Sequence, residues 1–525
     1  MENKPASSLV SSAGKVSLAT AFSRVLGLIR EQVTAYFFGA GMATDAFIAA
    51  FRVPNLLRDL FAEGALSSAF IPVFKEKMVT EGKESAFRLA NVIISILILV
   101  VGAVVSIGIL LSPEIIYLTA HGFTDDPEKF ILTVSLTRLM FVYLLLVSIS
   151  AVVMGILNSV GRFGVPAMSP AFFNLGMIMA PVVLIEYFGV PIYSLAIGVL
   201  IGGVGQLVFQ LPSLFKTGFR FSLTVDFKSK GLRRIVKLIA PMIMGLSASR
   251  INIVINTLLA SLLVEGAISY LNYSYRLMHF PLGVFAVALG TVVLPKISED
   301  AARKDIRQMV STYDEALGLT MFLVIPSAVY LAGFGEDLVR LIYQRGAFGD
   351  DASVQTGRAL YHYAYGLIGF AGVRVIAPVY YAMGDSRRPM YYSIISVLIN
   401  VILNFAFIEF WGFAGLAAAT SVAGLANFGM LGFFVRRKVP EISYRSIAIR
   451  TIKITLAAVA ACLAVKYSGV DSLFEQSNIW SKTGSVLLQL GGMSLIYLGL
   501  CFLLRIEDFN NIKDFLRYRG KSNGS

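Results

Sequence analysis

From Val92 to Leu111 the chain runs twenty residues with nothing more polar than serine. That is the length a helix needs to cross the hydrocarbon of a bilayer, about 20 residues. Comparable runs recur at Ala167–Ile185, Leu195–Leu214, Ile394–Phe410 and Leu487–Leu504. Polar breaks divide the whole chain into about fourteen such segments. The expected spans are 15–38, 43–74, 87–111, 130–157, 166–187, 191–214, 233–262, 267–295, 311–334, 353–383, 389–410, 413–435, 447–467 and 482–504. The pattern predicts an all-α integral membrane protein.

Composition agrees. Of 525 residues, 56% are hydrophobic and 15% charged, against about 25% charged in soluble domains. The loops after even-numbered spans collect the cations, as in Lys228, Lys230, Arg233 and Arg234, or Arg436, Arg437 and Lys438. The opposite loops carry acids such as Asp125, Asp126, Asp350 and Asp351. The positive-inside rule then puts both termini in the cytoplasm. The formal charge of +13 is dispersed over many short loops and is a topology signal, so no nucleic-acid partner is expected. No cleavable signal pattern precedes the first span. Cys462 and Cys501 fall within the last two spans and read as packing residues. The three histidines are scattered, so no metal cluster is visible.

The chain repeats itself. "GFTDD" at 122–126 corresponds to "AFGDD" at 347–351, and "GRFGVP" ending at Pro166 to "GDSRRP" ending at Pro389. The offset of roughly 225 residues equals six spans, an even number, so the two copies share one orientation. Such repeats imply two six-helix lobes related by a pseudo-two-fold along the membrane normal, at 1–220 and 221–438. Two further helices follow at 439–505. In the tail, 506–525, Ile506, Phe509, Ile512 and Leu516 recur at helical spacing beside Lys513, Arg517 and Arg519, reading as an amphipathic helix on the inner leaflet.

Charges inside the membrane are the strongest functional signal. In "FSRVLGLIREQV", Arg24 and Glu31 are seven residues apart and share a helix face, with Gly27 between them. Arg30 lies about 100° round from Glu31. In "TDAFIAAFRVPNLLRDLFAEG", Asp45, Arg52 and Asp59 form one stripe flanked by Asn55, Arg58 and Glu63, and Pro54 should interrupt the helix. Arg276, beside His279 and Pro281, adds a cation from the second half, and Arg250 and Arg374 add two more. Each arginine at mid-bilayer costs roughly 2.5–3.5 kcal/mol on insertion scales. So large a cost excludes a lipid-facing arrangement. Either the arginines pair with Glu31, Asp45, Asp59 and Glu63 and lock helices together, or a surplus of guanidiniums receives an anion. Arginine suits phosphate because its planar fork donates two parallel hydrogen bonds and keeps its proton.

Read together, "FSRVLGLIRE", "GAGMATDAF", "RVPNLLRDLFAEGALSSAFIP", "QLVFQLP", "YRLMHFPLGVFAVALGT" and "YAYGLIGF" resemble the MurJ/MviN lipid II flippases of the multidrug/oligosaccharidyl-lipid/polysaccharide exporter superfamily, over nearly the whole chain. The resemblance implies fourteen helices, two six-helix lobes around a central cavity, and a groove formed with spans 13 and 14 for a polyprenyl tail. The family's cavity arginines fall on Arg24, Arg30, Arg58 and Arg276, and Asp45, Asn55 and Glu63 occupy matching positions. Two departures are Glu31, where the family often has aspartate, and His279, where an acid can occur. The family's sodium site has only Asn400 and Asn404 as span-11 candidates.

The resulting expectation is a lipid II flippase of the bacterial inner membrane, moving a polyprenyl-pyrophosphate-linked peptidoglycan precursor to the outer leaflet by alternating access. Arg24, Arg30 and Arg276 would engage the pyrophosphate, with Arg58 and the acids, Glu31 among them, setting their orientation. Membrane lipids and other cell-wall synthesis proteins are the further partners. No cofactor is expected beyond a coupling cation or the membrane potential. The alternatives are a flippase for another polyprenyl-linked oligosaccharide and a cation-coupled multidrug exporter, whose cavity would want carboxylates. A membrane enzyme would need clustered Asp or His with a metal or base, so the chain reads as no enzyme. The orientation is checked with Lys228→Cys and Asp350→Cys in a background lacking Cys462 and Cys501. An impermeant thiol reagent applied to intact cells should label position 350 and spare 228; the reverse would invert the topology.

Overall fold

The computed structural model describes residues 6–59, 65–469, 479–506 and 508–509. Every expected span is helical there, and the described residues hold nineteen α-helices. Packing divides the chain into two compact units, residues 1–269 with 345–348, and residues 270–344 with 349–525.

The first unit contains α1 (Ala6–Phe38), α2 (Met42–Arg58), α3 (Ala65–Thr80), α4 (Lys83–Leu110), α5 (Ser112–Thr119), α6 (Pro127–Ser159), α7 (Gly164–Leu184), α8 (Tyr193–Val208), α9 (Leu211–Phe215) and α10 (Lys230–Ser261). Its packing boundary lies one helix beyond the repeat boundary at 220, because α10 packs against α3 and α4. Gly231 at the start of α10 sits against Leu89 of α4. The second unit contains most of α11 (Ala267–Pro281), then α12 (Val287–Ala302), α13 (Ile306–Tyr343), α14 (Asp350–Ala364), α15 (Gly366–Ala382), α16 (Arg387–Trp411), α17 (Phe413–Lys438), α18 (Tyr444–Lys466) and α19 (Ile479–Leu503).

Nine of these helices, or ten spans with the bent pair α14–α15, are long and apolar enough to cross a membrane by length and composition among the described residues. The fold is therefore an all-α, multi-pass membrane fold. α1 is not in that set, having Arg24, Arg30 and Glu31 within one eight-residue stretch. The second expected span, 43–74, is not one helix. α2 ends at Arg58, residues 60–64 lie outside the described residues, and α3 continues to Thr80. Pro54 does not interrupt α2, which runs through it for another turn. Nor does Pro281 break the chain's helical run: α11 passes without a gap into a π turn, Leu282–Ala286, and that into α12. The tail helix expected over 506–525 lies, save for Ile506, Asp508 and Phe509, outside the described residues.

The internal repeat has a structural counterpart. Gly161 and Gly384 both take positive φ, +80° and +71°, at the turns before α7 and α16. Phe123 and Phe348 are both buried, and the aspartates after each stand at a helix start, α6 and α14. Within a bilayer, where lipid tails are as apolar as leucine, close packing must hold helices together. Glycine supplies the space for it. A Cβ at Gly202 of α8 would lie 2.6 Å from the Phe173 carbonyl of α7, and one at Gly369 of α15 would lie 2.5 Å from the Gly424 backbone of α17. Gly202→Leu and Gly369→Leu should each destabilise the purified protein by more than the 1–3 kcal/mol typical of overpacking, because backbone and not side chain must yield. Thermal unfolding in detergent measures this. An unchanged melting temperature in both would refute the close-packing account.

Candidate functional site

α1 carries the first two arginines. It packs against α7, and the Asn174 amide donates to the Ser23 carbonyl at 3.0 Å. Arg24 is exposed and, among the described residues, makes no ion pair or hydrogen bond. Arg30 turns toward α7, with its guanidinium 5.9 Å from the Phe173 ring centre and Nη1 3.8 Å from the Met177 sulfur. Its Nη2 pairs with Glu31 Oε1 at 2.5 Å. The sequence suggests a different partner for Glu31, since Arg24 shares its face. Side-chain reach decides otherwise: the carboxylate is taken by the neighbouring guanidinium, and Arg24 is left open.

At the far end of α2, Asp59 accepts from Arg58 Nη2 at 3.1 Å and from Arg250 Nη1 of α10 at 2.8 Å. Arg52 and Asn55 lie half-buried on α2. Glu63 falls outside the described residues. α1, α2 and α10 thus bear five guanidiniums, Arg24, Arg30, Arg52, Arg58 and Arg250, of which Arg30 pairs with Glu31 and Arg58 and Arg250 share Asp59. Anions are the ligands such an arrangement favours.

Asp45 belongs elsewhere. Thirteen residues separate it from Arg58, about 20 Å along the helix axis. It is 1% exposed, and Lys129 Nζ of α6 donates to its Oδ2 at 3.1 Å. It also accepts from the Gly266 and Ser269 backbone N–H groups at 2.8 and 2.9 Å, and from the Ser269 hydroxyl at 2.7 Å. These are orphan donors of the first turn of α11, so Asp45 caps that helix from outside it. The favour is returned, as Glu265 Oε1 accepts from Met42 N–H at the start of α2, 2.8 Å. Lys129 also lies 4.2 Å over the Phe123 ring. Lys129 and Glu265 are not singled out by the sequence reading. The available signal is a lysine in an acid-rich outer loop, the one cation there placed at the head of a span.

In the second unit, Arg276 and Arg374 are exposed and both act electrostatically on His279, whose ring stacks on Tyr275 with centres 4.0 Å apart. Asn400 and Asn404 are buried. The Asn404 amide donates to Asn400, and Asn400 to the Thr420 hydroxyl, both at 3.2 Å. This polar ladder joins α16 to α17. An apolar cavity of about 690 Å³ lies between α13, α17 and α18, lined by Leu317, Phe428, Phe433, Ile447 and Ile452, with Arg436 and Arg437 among its walls.

The all-α, multi-pass fold is that of a membrane transporter. The same fold appears in a multidrug-resistance MATE transporter of the MOP superfamily in its inward-facing conformation, with TM-score 0.69 over 80% of this chain and 12% identity. A closer likeness is the inward closed conformation of the lipid II flippase MurJ, with TM-score 0.78, 30% identity, and coverage of 93% of this chain and 98% of that one. The family model for lipid II flippase MurJ matches residues 34–487. The lipid II flippase MurJ of Burkholderia cenocepacia is 34% identical over 427 residues, 81% of this chain and 83% of its own. A probable lipid II flippase MurJ of Vibrio cholerae is 36% identical over 423 residues, 79% of this chain and 81% of its own. The chain belongs to the lipid II flippase MurJ family.

The Asp45 cluster generates a stability prediction. Removing one member of a buried pair leaves the other charge uncompensated, typically at about 3–5 kcal/mol. Asp45→Ala should lower the melting temperature sharply, and adding Lys129→Met should restore part of it. A single variant that melts like the wild type would show the cluster to be dispensable.

Proposed function

We infer that this protein is a lipid II flippase, carrying the polyprenyl-pyrophosphate-linked peptidoglycan precursor from the cytoplasmic to the outer leaflet, with both termini in the cytoplasm. The observation that carries this is the set of guanidiniums on α1, α2 and α10, with Arg24 open and exposed among them, in a chain of this family. The substrate is an anionic lipid whose head group must cross the low-dielectric layer, and its phosphates need fixed positive charge on the way. Arg24, open and exposed, takes a phosphate without first breaking a bond. Arg30 exchanges Glu31 for phosphate, and Glu31 takes the guanidinium back on release. Arg58 is held in place by Asp59, with Asn55 and Glu63 nearby on the same stretch of chain. On the second unit Arg276 supplies the corresponding cation. Asp45 keeps the helices that bear these groups in register. The apolar cavity between α13, α17 and α18 supports a hydrocarbon path for the polyprenyl tail beside α18, so only the head group needs a polar route. The rocking of one lobe against another that such repeats perform is the conformational step. Binding and reorientation are its whole chemistry, with no bond made or broken.

Arg24→Lys and Arg276→Lys keep the charge but lose the fork. Each should cut transport by about 10–100-fold, the value of one or two charge-assisted hydrogen bonds. Complementation of flippase-depleted cells, with membrane abundance matched and the leaflet accumulating lipid II assayed, measures it. Arg30→Ala/Glu31→Ala tests the exchange. If the pair were only a neutral prop, removing both charges together would leave transport intact; the expected result is a folded protein without activity.

A further inference from the structure

A second basic site lies in the second unit, at the Tyr444 end of α18 where it meets the last turn of α19. A cavity of about 360 Å³ there is lined by Ser443, Arg445, Ser446, Arg450, Lys453 and Arg505, with Ile449 and Ile506 as its apolar wall. The four cations are not equivalent. Arg450 is committed: its Nη2 pairs with Asp314 Oδ1 of α13 at 2.6 Å, and its Nη1 with Asp508 Oδ1 at 3.4 Å. Gly318 of α13 leaves the room that this three-residue contact occupies. Arg445, Lys453 and Arg505 have no carboxylate partner among the described residues; among their side chains, Lys453 Nζ donates to the Leu504 carbonyl at 3.3 Å.

Arg505 occupies an unusual place. α19 closes with the Ile506 N–H on the Cys501 carbonyl at 3.0 Å and the Arg505 N–H on the Phe502 carbonyl at 3.2 Å. That is the Schellman pattern, whose left-handed residue is ordinarily glycine. Here it is Arg505, with φ +51°. Packing does not explain an arginine there, since its side chain is exposed; its place in the cavity wall does. The surroundings say where the ligand comes from. Ile449, Phe502, Leu503 and Leu504 are large, apolar and exposed beside the cations, so the cavity opens where the apolar belt of the membrane gives way to charge.

We propose that this cavity is a binding site for a phosphate ester, separate from the guanidiniums of α1, α2 and α11. Arg445, Lys453 and Arg505, with no carboxylate partner among the described residues, receive the phosphate together with the N–H groups at the start of α18, and the isoleucine wall receives the glycerol or first methylenes of its carrier. The carrier is a lipid of the adjoining leaflet or a soluble ester. The inference does not depend on which molecule the transport site carries.

The test uses the full-length protein in nanodiscs of phosphatidylcholine alone or with phosphatidylglycerol, followed by native mass spectrometry of retained lipid. A parallel arm in detergent measures the thermal shift on adding glycerol 3-phosphate or inorganic phosphate. Wild type should retain phosphatidylglycerol about tenfold better than R445Q/K453Q/R505Q, the scale of one charge-assisted contact. A shift with the soluble esters that the triple variant loses would equally support the site and name a soluble source. Arg505→Gly guards against misfolding: it relieves the left-handed strain, so the melting temperature should hold or rise while retention falls. Equal retention and equal shifts in wild type and both variants would overturn the proposal.

Discussion

Charge cannot be left alone in hydrocarbon, and most of what is distinctive in this chain follows from that. An unpaired ion carried from water into a medium of low dielectric costs several kcal/mol even after the surroundings relax. The protein meets the constraint locally, by giving its deepest charges protein partners. Asp45 has Lys129 and the α11 turn, Asp59 has two arginines, and Arg450 has two aspartates. What remains uncompensated is on the exposed side of its helix, as Arg24 is. The distribution of partners therefore separates groups that hold the fold from groups free to meet a ligand.

α2 shows this division along its own length. At the Asp45 end the charges balance and the helix termini are cross-capped, so the backbone donors that lipid could not satisfy are satisfied by carboxylates. At the Arg58 end, among the described residues, Asp59 serves two guanidiniums, Arg58 and Arg250. One end of the helix is anchored, and the other presents charge. A helix of 17 residues can do both because its ends are some 20 Å apart, well beyond the reach of any one side chain.

The spans were legible in the sequence because a bilayer imposes a length and a composition on any helix that crosses it. Repeat positions such as Gly161 and Gly384 were legible because a turn of positive φ restricts the residue. The intramembrane arginines stood out because they break the apolar rule. Partnership was not legible. Helical geometry puts Arg24 on the face of Glu31, yet the pair that forms is Arg30–Glu31, since two long side chains on adjacent residues can meet without facing each other. Asp45 looked like one of a stripe with Arg52 and Asp59, but its partners come from α6 and the start of α11, at 84 and more than 200 positions' remove. Nor did Pro54 end its helix, which runs on to Arg58.

The difference between a lock and a site is itself structural. A lock must join two elements, so that breaking it frees one from the other. Arg250–Asp59 qualifies, linking α10 to α2, as does Lys129–Asp45, linking α6 to α2. Arg30–Glu31 does not, since both residues belong to one turn of α1. Whatever α1 does as a body, that pair travels with it unchanged, and its strength contributes nothing to which conformation the protein adopts. Its effect is on the local field: it sets a carboxylate against a guanidinium that is 14% exposed beside the Phe173 ring and the Met177 sulfur. In the exchange proposed above, a phosphate arriving beside it would offer the same guanidinium an acceptor of higher charge, and Glu31 would be displaced at the cost of its own resolvation. The exchange can run in either direction with small net free energy, because a charge-assisted hydrogen bond is given up for each one formed. A group that must bind tightly enough to select a substrate and loosely enough to let it go is best held in this way, by a partner that competes with the substrate and never leaves.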